Sequence, residues 1–232
     1  MERKIYGIFM AAGRGTRMGG DVPKQFLDLN GIPVLQRTIE KFLEACPGLE
    51  VVTVLPPEHM DTWRSLCSRY GLNCKQLLVE GGITRFHSVK NALAKVPRGV
   101  TVFIHDGVRP LISSDLIGRM VEQSGQCRAL IPVVPVTDSL KALVKGPDGQ
   151  LSTAPGADPD RSCIYGAQTP QFFRSEDIKD AYETAYDVNF TDDASVARKS
   201  GIPLSYIAGE KYNLKLTTPE DISLAQYLLN LP

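Results

Sequence analysis

Alternating strand-like and helix-like segments predict an α/β fold for this chain of 232 residues, with a mostly parallel sheet and helices on both faces. Apolar runs with the length of buried strands stand at residues 5–10, 51–55 and 100–104. A turn rich in glycine follows the first run directly. Because ligands of such folds collect at the carboxyl ends of the strands, this turn predicts a binding site at that edge of the sheet.

The apolar and amphipathic patterns predict the elements of the fold in chain order. The predicted strands are 5–10, 51–55, 76–79, 100–104, 129–132 and a short one near 204–207. The predicted helices include 34–45, 59–70, 84–95, 113–124, 175–186 and 219–229. Ser113 and Thr218 each precede an apolar-periodic segment and are plausible helix starts. We find no internal repeat, so we expect a single domain over residues 1–232.

Residues 141–162 break this alternation, because they are rich in proline, glycine and aspartate and have no helical period. A turn signal at 145–149 lies between two short β-prone runs, 142–144 and 151–153, which predicts a hairpin. The alternative is a mobile surface loop. A two-stranded hairpin is marginal by itself, so packing on another chain would supply the missing stability.

Charge and cysteine content restrict the classes of function. The 26 basic and 26 acidic residues give a formal net charge of zero, which argues against nucleic-acid and membrane-surface partners. No apolar run approaches the length of a membrane span, and the N-terminal apolar run is too short for a signal peptide. The five cysteines have no metal-ligand spacing and are interpreted as reduced thiols of a cytoplasmic protein.

Residues 10–25, MAAGRGTRMGGDVPKQ, carry the most specific chemistry. Small residues let a backbone approach a ligand closely, and successive N–H groups of such a turn can hold phosphate oxygens. Arg17 and Lys24 add two positive charges beside the turn. This combination favours a nucleoside triphosphate whose phosphates react.

Two better-known phosphate-binding motifs fit this stretch less well. The dinucleotide pattern G-x-G-x-x-G fails because Met18 stands where the third glycine belongs, and no acidic residue ends the second strand. No glycine here is followed by lysine and then serine or threonine, as a P-loop requires. A dehydrogenase is therefore disfavoured. A plain strand–helix turn remains the structural alternative.

The stretch A-A-G-x-G-x-R-M-G followed by P-K-Q resembles the signature of polyol-phosphate cytidylyltransferases, and most closely the 2-C-methyl-D-erythritol 4-phosphate cytidylyltransferase family. Further matches run through the chain in order: Gly81-Gly82 with Arg85 and Ser88, 105–110 (HDGVRP), 136–139 (VTDS), 169–171 (TPQ), 191–193 (TDD) and 213–215 (NLK). The resemblance implies a Rossmann-like fold of the nucleotide-diphospho-sugar transferase type with a protruding β-arm at about 141–160, which joins a homodimer.

Transfer of a cytidylyl group from CTP to a phosphate monoester, with release of pyrophosphate, needs no protein nucleophile, because the monoester oxygen is itself nucleophilic at neutral pH. Catalysis is positioning and neutralisation of negative charge. The resemblance implies that Arg17 and Lys24 stabilise the transition state, and that Arg161 and Lys215 position the acceptor phosphate. The residues implied for CTP binding are Ala11, Ala12, Gly13, Gly15, Thr16, Gly82, Arg85 and Ser88.

The resemblance also implies a magnesium ion held by Asp106, which ends an apolar run and precedes a glycine. The alternative for Asp106 is a cap of the next turn, and His105 is interpreted as structural. Residues implied for binding the polyol phosphate are Asp106, Arg109, Ser139, Arg161, Thr169, Thr191 and Lys215.

Gly107-Val108 and Ser139 depart from the residues that the family commonly has, near the expected acceptor site. Ribitol 5-phosphate is therefore an alternative acceptor to 2-C-methyl-D-erythritol 4-phosphate. An inactive nucleotide-binding or interaction module is an alternative of another class. The retained Arg17, Lys24, Asp106 and Lys215 argue against it.

Overall fold

The computed structural model describes residues 3–13 and 22–231. The strands are β1 (Ile5–Met10), β2 (Asp28–Leu29), β3 (Ile32–Pro33), β4 (Glu50–Leu55), β5 (Gln76–Glu80), β6 (Thr101–Asp106), β7 (Ala129–Pro135), β8 (Leu143–Lys145), β9 (Leu151–Thr153), β10 (Tyr165–Ala167), β11 (Gln171–Arg174) and β12 (Ser205–Ala208). The α-helices are α1 (Val34–Ala45), α2 (Met60–Tyr70), α3 (Arg85–Lys95), α4 (Ser114–Ser124), α5 (Ser175–Ala181), α6 (Asp193–Lys199) and α7 (Pro219–Leu229). Short 3₁₀ helices span Lys24–Phe26, Pro57–His59 and Arg161–Cys163.

The central sheet has the strand order β10-β7-β11-β6-β1-β4-β5, and β12 pairs with β7. Strands β4, β1 and β6 are parallel neighbours, and β5 is parallel to β4. Strand β11 is antiparallel to both β6 and β7. In the central register Met10 lies opposite Val54 on one side and Asp106 on the other. The ends of β1, β4 and β6 therefore meet at one edge of the sheet.

Successive residues of the central strands enter two hydrophobic cores, as the alternation of side chains in a strand requires. Ile8 packs in a core with helices α3, α5 and α6, whereas Phe9 packs in a second core with α1, α2 and α4. The predicted α/β class, with a mostly parallel sheet and helices on both faces, is confirmed. Across the described ranges, no helix combines the length and apolar character that a membrane crossing requires.

Several elements differ from the prediction. The helix predicted over 175–186 ends at Ala181, and the next residue, Tyr182, stacks on Phe86 with ring centroids 4.6 Å apart. Strand β11 and helix α6 were not predicted, although both are largely buried. The two predicted helix starts are confirmed, because Ser113 caps α4 through its side chain and Thr218 is the residue that precedes α7.

The predicted hairpin is confirmed as an exposed two-stranded arm. Leu143 pairs with Thr153 and Lys145 with Leu151 in antiparallel register. The turn between them contains Gly149 at a φ of 84°, a left-handed conformation that favours glycine. Both strands are exposed along their whole length, so none of the described residues buries the apolar side chains of the arm.

Candidate active site

A cleft of about 800 Å³ opens at the carboxyl edge of β1, β5 and β6. It brings together most of the residues predicted for the nucleotide and for catalysis: Ala11, Ala12, Gly13, Lys24, Gly82, Arg85, Ser88, Asp106 and Lys215. Gly15, Thr16 and Arg17 lie outside the described residues. Among the described residues that line the cleft, four are charged and three of these are cations, so this lining suits a polyanionic ligand.

Close backbone packing builds the nucleotide side of the cleft. A Cβ atom on Gly81 would lie 2.6 Å from Cβ of Ala12, so a glycine is needed where the turn after β5 meets the turn after β1. The N–H of Gly82 donates to the hydroxyl of Ser88 at 2.9 Å, and this hydroxyl donates to the carbonyl of Thr84 at 2.9 Å. Ser88 thereby fixes the turn that precedes α3.

Asp106 is the centre of charge on the acceptor side. Its carboxylate is 8% exposed, and its Oδ2 accepts from Nζ of Lys215 at 3.1 Å and from Nε of Arg109 at 3.2 Å. Burial alone would raise the pKa of this carboxyl. The positive charges of Lys215, Arg85 and Arg109 outweigh burial and hold the pKa well below its usual value, so Asp106 stays ionised.

The segment that carries Lys215 is held by contacts with distant elements. The N–H of Leu216 donates to the carbonyl of Val108 at 2.9 Å. Arg109 donates to the carbonyl of Asn213 at 2.7 Å, and Nζ of Lys24 donates to the carbonyl of Leu216 at 3.1 Å. Residues 213–217 form no strand. Side chains from other elements hold this segment instead of a sheet ladder.

Thr169 contacts the site through its hydroxyl. This oxygen accepts from the N–H of Asp106 at 3.1 Å and lies 3.0 Å from Nδ1 of His105. His105 is completely buried, and burial lowers its pKa to about 3, so the ring is neutral at physiological pH. These contacts support the structural interpretation of His105. They also show that Thr169 contacts the backbone of Asp106 and not its carboxylate.

Arg85 is held by Asp193, which belongs to the 191–193 motif but was not predicted to have a role in the site. Its guanidinium donates to both oxygens of Asp193, at 2.8 and 2.6 Å, across a separation of 108 residues. Asp193 is fully buried and also accepts from the hydroxyl of Tyr182 at 2.6 Å. The pairing joins the start of α3, on the nucleotide side, to the start of α6.

Five residues predicted for the acceptor do not line this cleft within the described part of the chain. Arg109 and Thr169 contact Asp106 without lining the cleft, whereas Ser139, Arg161 and Thr191 have no such contact among the hydrogen bonds described above. Arg161 is exposed and donates to the carbonyl of Thr137 at 3.0 Å, and Ser139 is exposed after β7. Thr191 lines a second cleft, of about 650 Å³, together with Cys163 and Tyr165 at the base of the arm. A single chain therefore does not assemble all of the predicted acceptor site.

The residues of the cleft can accommodate a magnesium ion that also binds the substrate. Within residues 3–13 and 22–231, no group of three or more His, Cys, Asp or Glu could hold a metal ion. Asp106 is the one carboxylate among the described residues that line the cleft. Magnesium commonly uses one or two carboxylates and takes its other ligands from phosphates and water. The donor set therefore fits a metal that arrives with a nucleotide.

Comparisons with known proteins point to one family. The sequence model described as 2-C-methyl-D-erythritol 4-phosphate cytidylyltransferase matches residues 5–231. A protein of that name from Porphyromonas gingivalis is 44% identical over 231 residues, covering 99% of both chains. Another from Bacteroides fragilis is 41% identical over 222 residues, covering 96% of this chain and 98% of the relative.

Solved structures give the same result. The crystal structure of 4-diphosphocytidyl-2C-methyl-D-erythritol synthase from Anaerococcus prevotii superposes with a TM-score of 0.80 at 26% identity, covering 100% of both chains. The 2-C-methyl-D-erythritol 4-phosphate cytidylyltransferase of Francisella tularensis superposes with a TM-score of 0.76 at 31% identity, covering 96% of this chain and 98% of that one.

Proposed function

Because the chain belongs to the 2-C-methyl-D-erythritol 4-phosphate cytidylyltransferase family, we propose that the cleft beside Asp106 holds CTP and the acceptor phosphate side by side. The enzyme transfers the cytidylyl group of CTP to 2-C-methyl-D-erythritol 4-phosphate and releases pyrophosphate. The observation that carries the proposed site is the arrangement of Lys24, Arg85 and Lys215 around one ionised carboxylate in that cleft.

In the reaction, a phosphate oxygen of the acceptor attacks the α-phosphorus of CTP. A new P–O bond forms, the bond between the α-phosphorus and the bridging oxygen breaks, and pyrophosphate leaves with that electron pair. The attacking monoester is largely dianionic above its second pKa of about 6, so no protein base has to remove a proton. The protein has to align the two phosphates and stabilise the added charge.

Lys24 and Arg17 supply that stabilisation in our proposal. Lys24 lies in a short 3₁₀ helix after Pro23, and its ammonium group reaches the Leu216 carbonyl, beside Lys215. It is thereby placed between the nucleotide side and the acceptor side of the cleft. Lysine acts here as a point charge toward the phosphate, whereas an arginine such as Arg17 can bind two oxygens at once.

Lys215 and Arg109 hold the acceptor phosphate in our proposal. Both contact the Asp106 carboxylate, which keeps two flexible cationic side chains at defined positions before the acceptor arrives. Thr169 supports them indirectly, through its hydrogen bond from the N–H of Asp106. The acceptor phosphate therefore meets charges that are already oriented.

We propose that backbone groups at Ala11, Ala12, Gly13 and Gly82 recognise the base, with Ser88 fixing the Gly82 turn. Gly15 and Thr16 are also assigned to CTP binding in this proposal. Backbone N–H and C=O groups can distinguish the 4-amino group of cytosine from the 4-oxo group of uracil. Arg85 takes part as an oriented charge, because Asp193 binds its guanidinium at two points.

We further propose that the enzyme uses Mg²⁺ held by Asp106. When bound, the ion would neutralise phosphate charge on CTP and favour departure of pyrophosphate. Asp106 suits this role because its pKa lies well below the usual value and it remains a carboxylate at the pH of the reaction.

A homodimer that shares its active sites explains the residues that lie outside the cleft. Ser139, Arg161 and Thr191 lie away from Asp106 within one chain, near the base of the arm. The arm exposes Leu143, Val144 and Leu151, at 48%, 47% and 65%. We propose that the arm packs on a second copy and that residues 1–232 act as one catalytic domain, so that Arg161 of one subunit completes the acceptor site of the other.

We propose the cytoplasm as the location of the enzyme. None of the five cysteines forms a disulfide, including the exposed Cys163, and a reducing compartment keeps such thiols reduced. Fractionation of cells with an antibody against the protein tests this, and recovery in a membrane or secreted fraction would contradict it.

Pyrophosphate release tests the proposed function. The purified enzyme is assayed with CTP, UTP, ATP and GTP, and with 2-C-methyl-D-erythritol 4-phosphate and ribitol 5-phosphate as acceptors. We expect the fastest release with CTP and methylerythritol phosphate, with UTP weaker than CTP. Equal turnover of ATP and CTP, or faster reaction with ribitol phosphate, would contradict the proposal. Lys24→Ala serves as the inactive control.

A further inference from the structure

Gln25 is a buried amide that lines the nucleotide side of the cleft. Its residue is 1% exposed, and its Nε2 donates to the carbonyl of Ala11 at 2.9 Å, across 14 residues of sequence. Burying an amide is costly unless it is hydrogen-bonded. A glutamine is therefore expected here only where its hydrogen bond serves the structure around it.

The Ala11 carbonyl lies just beyond the end of the sheet. The N–H of Ala11 still donates to Val54 at 2.9 Å, and the carbonyl of Met10 accepts from Gly107 at 2.9 Å. The paired register of β1 ends at Met10 on both sides. Gln25 thus supplies, from a side chain, the hydrogen bond that a neighbouring strand supplies to the preceding residues.

The turn that carries Gln25 is itself firmly held. Phe26 is buried and stacks on Trp63, with ring centroids 6.0 Å apart and an angle of 12° between the rings. On the other side of Gln25, Lys24 donates to the carbonyl of Leu216. The 3₁₀ helix Lys24–Phe26 therefore connects the nucleotide turn, the acceptor segment and the core.

We infer that Gln25 is a positioning residue for CTP: its amide holds the Ala11 carbonyl so that the turn after β1 presents one backbone geometry to the nucleotide. Gln25 acts through Ala11, and nothing in this role requires it to touch the reacting atoms. The inference rests on the proposed CTP site in the same cleft. It predicts that the hydrogen-bond donor at position 25 matters, beyond the shape of the side chain.

Two substitutions of similar size separate the donor from the shape. Gln25→Met keeps the length and removes the donor. Gln25→Glu keeps the shape and donates only when its carboxyl is protonated. Lys24, Arg85 and Lys215 outnumber Asp106 in the same cleft, and their net positive charge favours the ionised form of the new carboxyl. An ionised carboxyl cannot donate to Ala11, and its negative charge repels the carbonyl that the amide binds.

The readout is the ratio of kcat/KM for CTP between variant and wild type, measured from pH 6 to pH 9. The ratio cancels titrations of the substrates. We expect Gln25→Glu to be about tenfold or more below wild type throughout this range, because an ionised carboxyl has no proton to donate and repels the Ala11 carbonyl. We expect Gln25→Met to lose about tenfold at every pH, because the Ala11 carbonyl stays unpaired.

Gln123→Glu, on the exposed face of α4, is the matched control and is expected to keep a ratio near one throughout. Thermal melting checks that each variant is folded, and if Gln25→Glu is not, the methionine variant decides. Wild-type kcat/KM in either Gln25→Glu or Gln25→Met overturns the inference. A wild-type enzyme that does not use CTP contradicts the proposed function instead.

Discussion

The ammonium group of Lys215 lies 3.1 Å from Oδ2 of Asp106, and Arg109 contacts the same oxygen at 3.2 Å. One carboxylate oxygen thus orients both cations that we assign to the acceptor phosphate. These groups come from the end of β6, the following turn and the segment before α7. The two ion pairs hold the side chains of Lys215 and Arg109 in defined positions before a substrate binds.

Asp106→Asn removes the charge and keeps the shape of the side chain. We expect the Mg²⁺ concentration for half-maximal activity to rise about tenfold, because a hard cation binds a neutral amide less well than a carboxylate. A magnesium titration of activity measures it. Asp180→Asn, in the exposed pair with Arg98, is the control. An unchanged titration would return Asp106 to a purely structural role.

Lys24→Ala and Arg17→Ala should act mainly on kcat, because both cations meet charge that develops in the transition state. We expect losses on the order of 10²–10³ in kcat, as for other electrostatic stabilisers. Steady-state kinetics with varied CTP separate kcat from KM. Lys90→Ala, an exposed cation paired with Glu183, should behave as wild type. A rise in KM with kcat unchanged would assign Lys24 and Arg17 to ground-state binding.

Asp193→Asn should loosen Arg85, because a neutral amide cannot make the two charge-assisted contacts that the carboxylate makes. Breaking a buried ion pair costs about 3 kcal/mol of stability, and Tyr182→Phe, which removes one hydrogen bond, about 1 kcal/mol. Urea unfolding measures both. We expect KM for CTP to rise in Asp193→Asn. Wild-type stability together with unchanged KM would rule out the coupling between Arg85 and Asp193.

Gly107→Ala tests the packing between the carboxylate strand and α1. A Cβ atom on Gly107 would lie 2.6 Å from Cδ1 of Leu35, which is fully buried, and 3.1 Å from the carbonyl of Met10. We expect overpacking to cost about 2 kcal/mol and to lower activity by displacing the neighbouring Asp106. Adding Leu35→Val should restore part of both losses.

Gly118→Ala is the control for that substitution, because a Cβ placed on Gly118 in α4 would meet no described atom within 4 Å beyond its chain neighbours and the backbone of its own helix. Alanine there should be neutral or stabilising, since it has the better helix propensity. If Gly107→Ala retains wild-type stability and activity, Leu35 can move to accommodate the added methyl group. Packing would then not require glycine at position 107.

Much of the fold could be predicted because a buried strand is recognisable in the sequence as a short run of consecutive apolar residues. The run 5–10 became β1 without change, and the hairpin at 143–153 followed from its turn residues. Strand β11 was missed because four residues after Pro170, with a polar Gln171 and Arg174, do not look like a central strand. Its antiparallel pairing between β6 and β7 depends on tertiary contacts that strand–helix alternation does not encode.

The cleft residues in local motifs could also be predicted, since Gly82, Ser88 and Asp106 lie directly after strands or at the start of a helix. Long-range partnerships could not. The pairing of Arg85 with Asp193 spans 108 residues, and sequence alone gives no indication of which acid meets which cation. Likewise, the motif that contains Gln25 indicated a phosphate site, but its contact with Ala11 became visible only in the folded chain.

Complementation between two inactive variants tests the shared active site most directly. Arg161→Ala and Lys24→Ala proteins are each purified, mixed under conditions that exchange subunits, and assayed for pyrophosphate release with CTP and methylerythritol phosphate. If Arg161 acts on the partner's site, each heterodimer contains one intact site, and random mixing should restore about one quarter of wild-type activity. Heterodimers demonstrated by differential tagging that remain inactive would contradict the shared site.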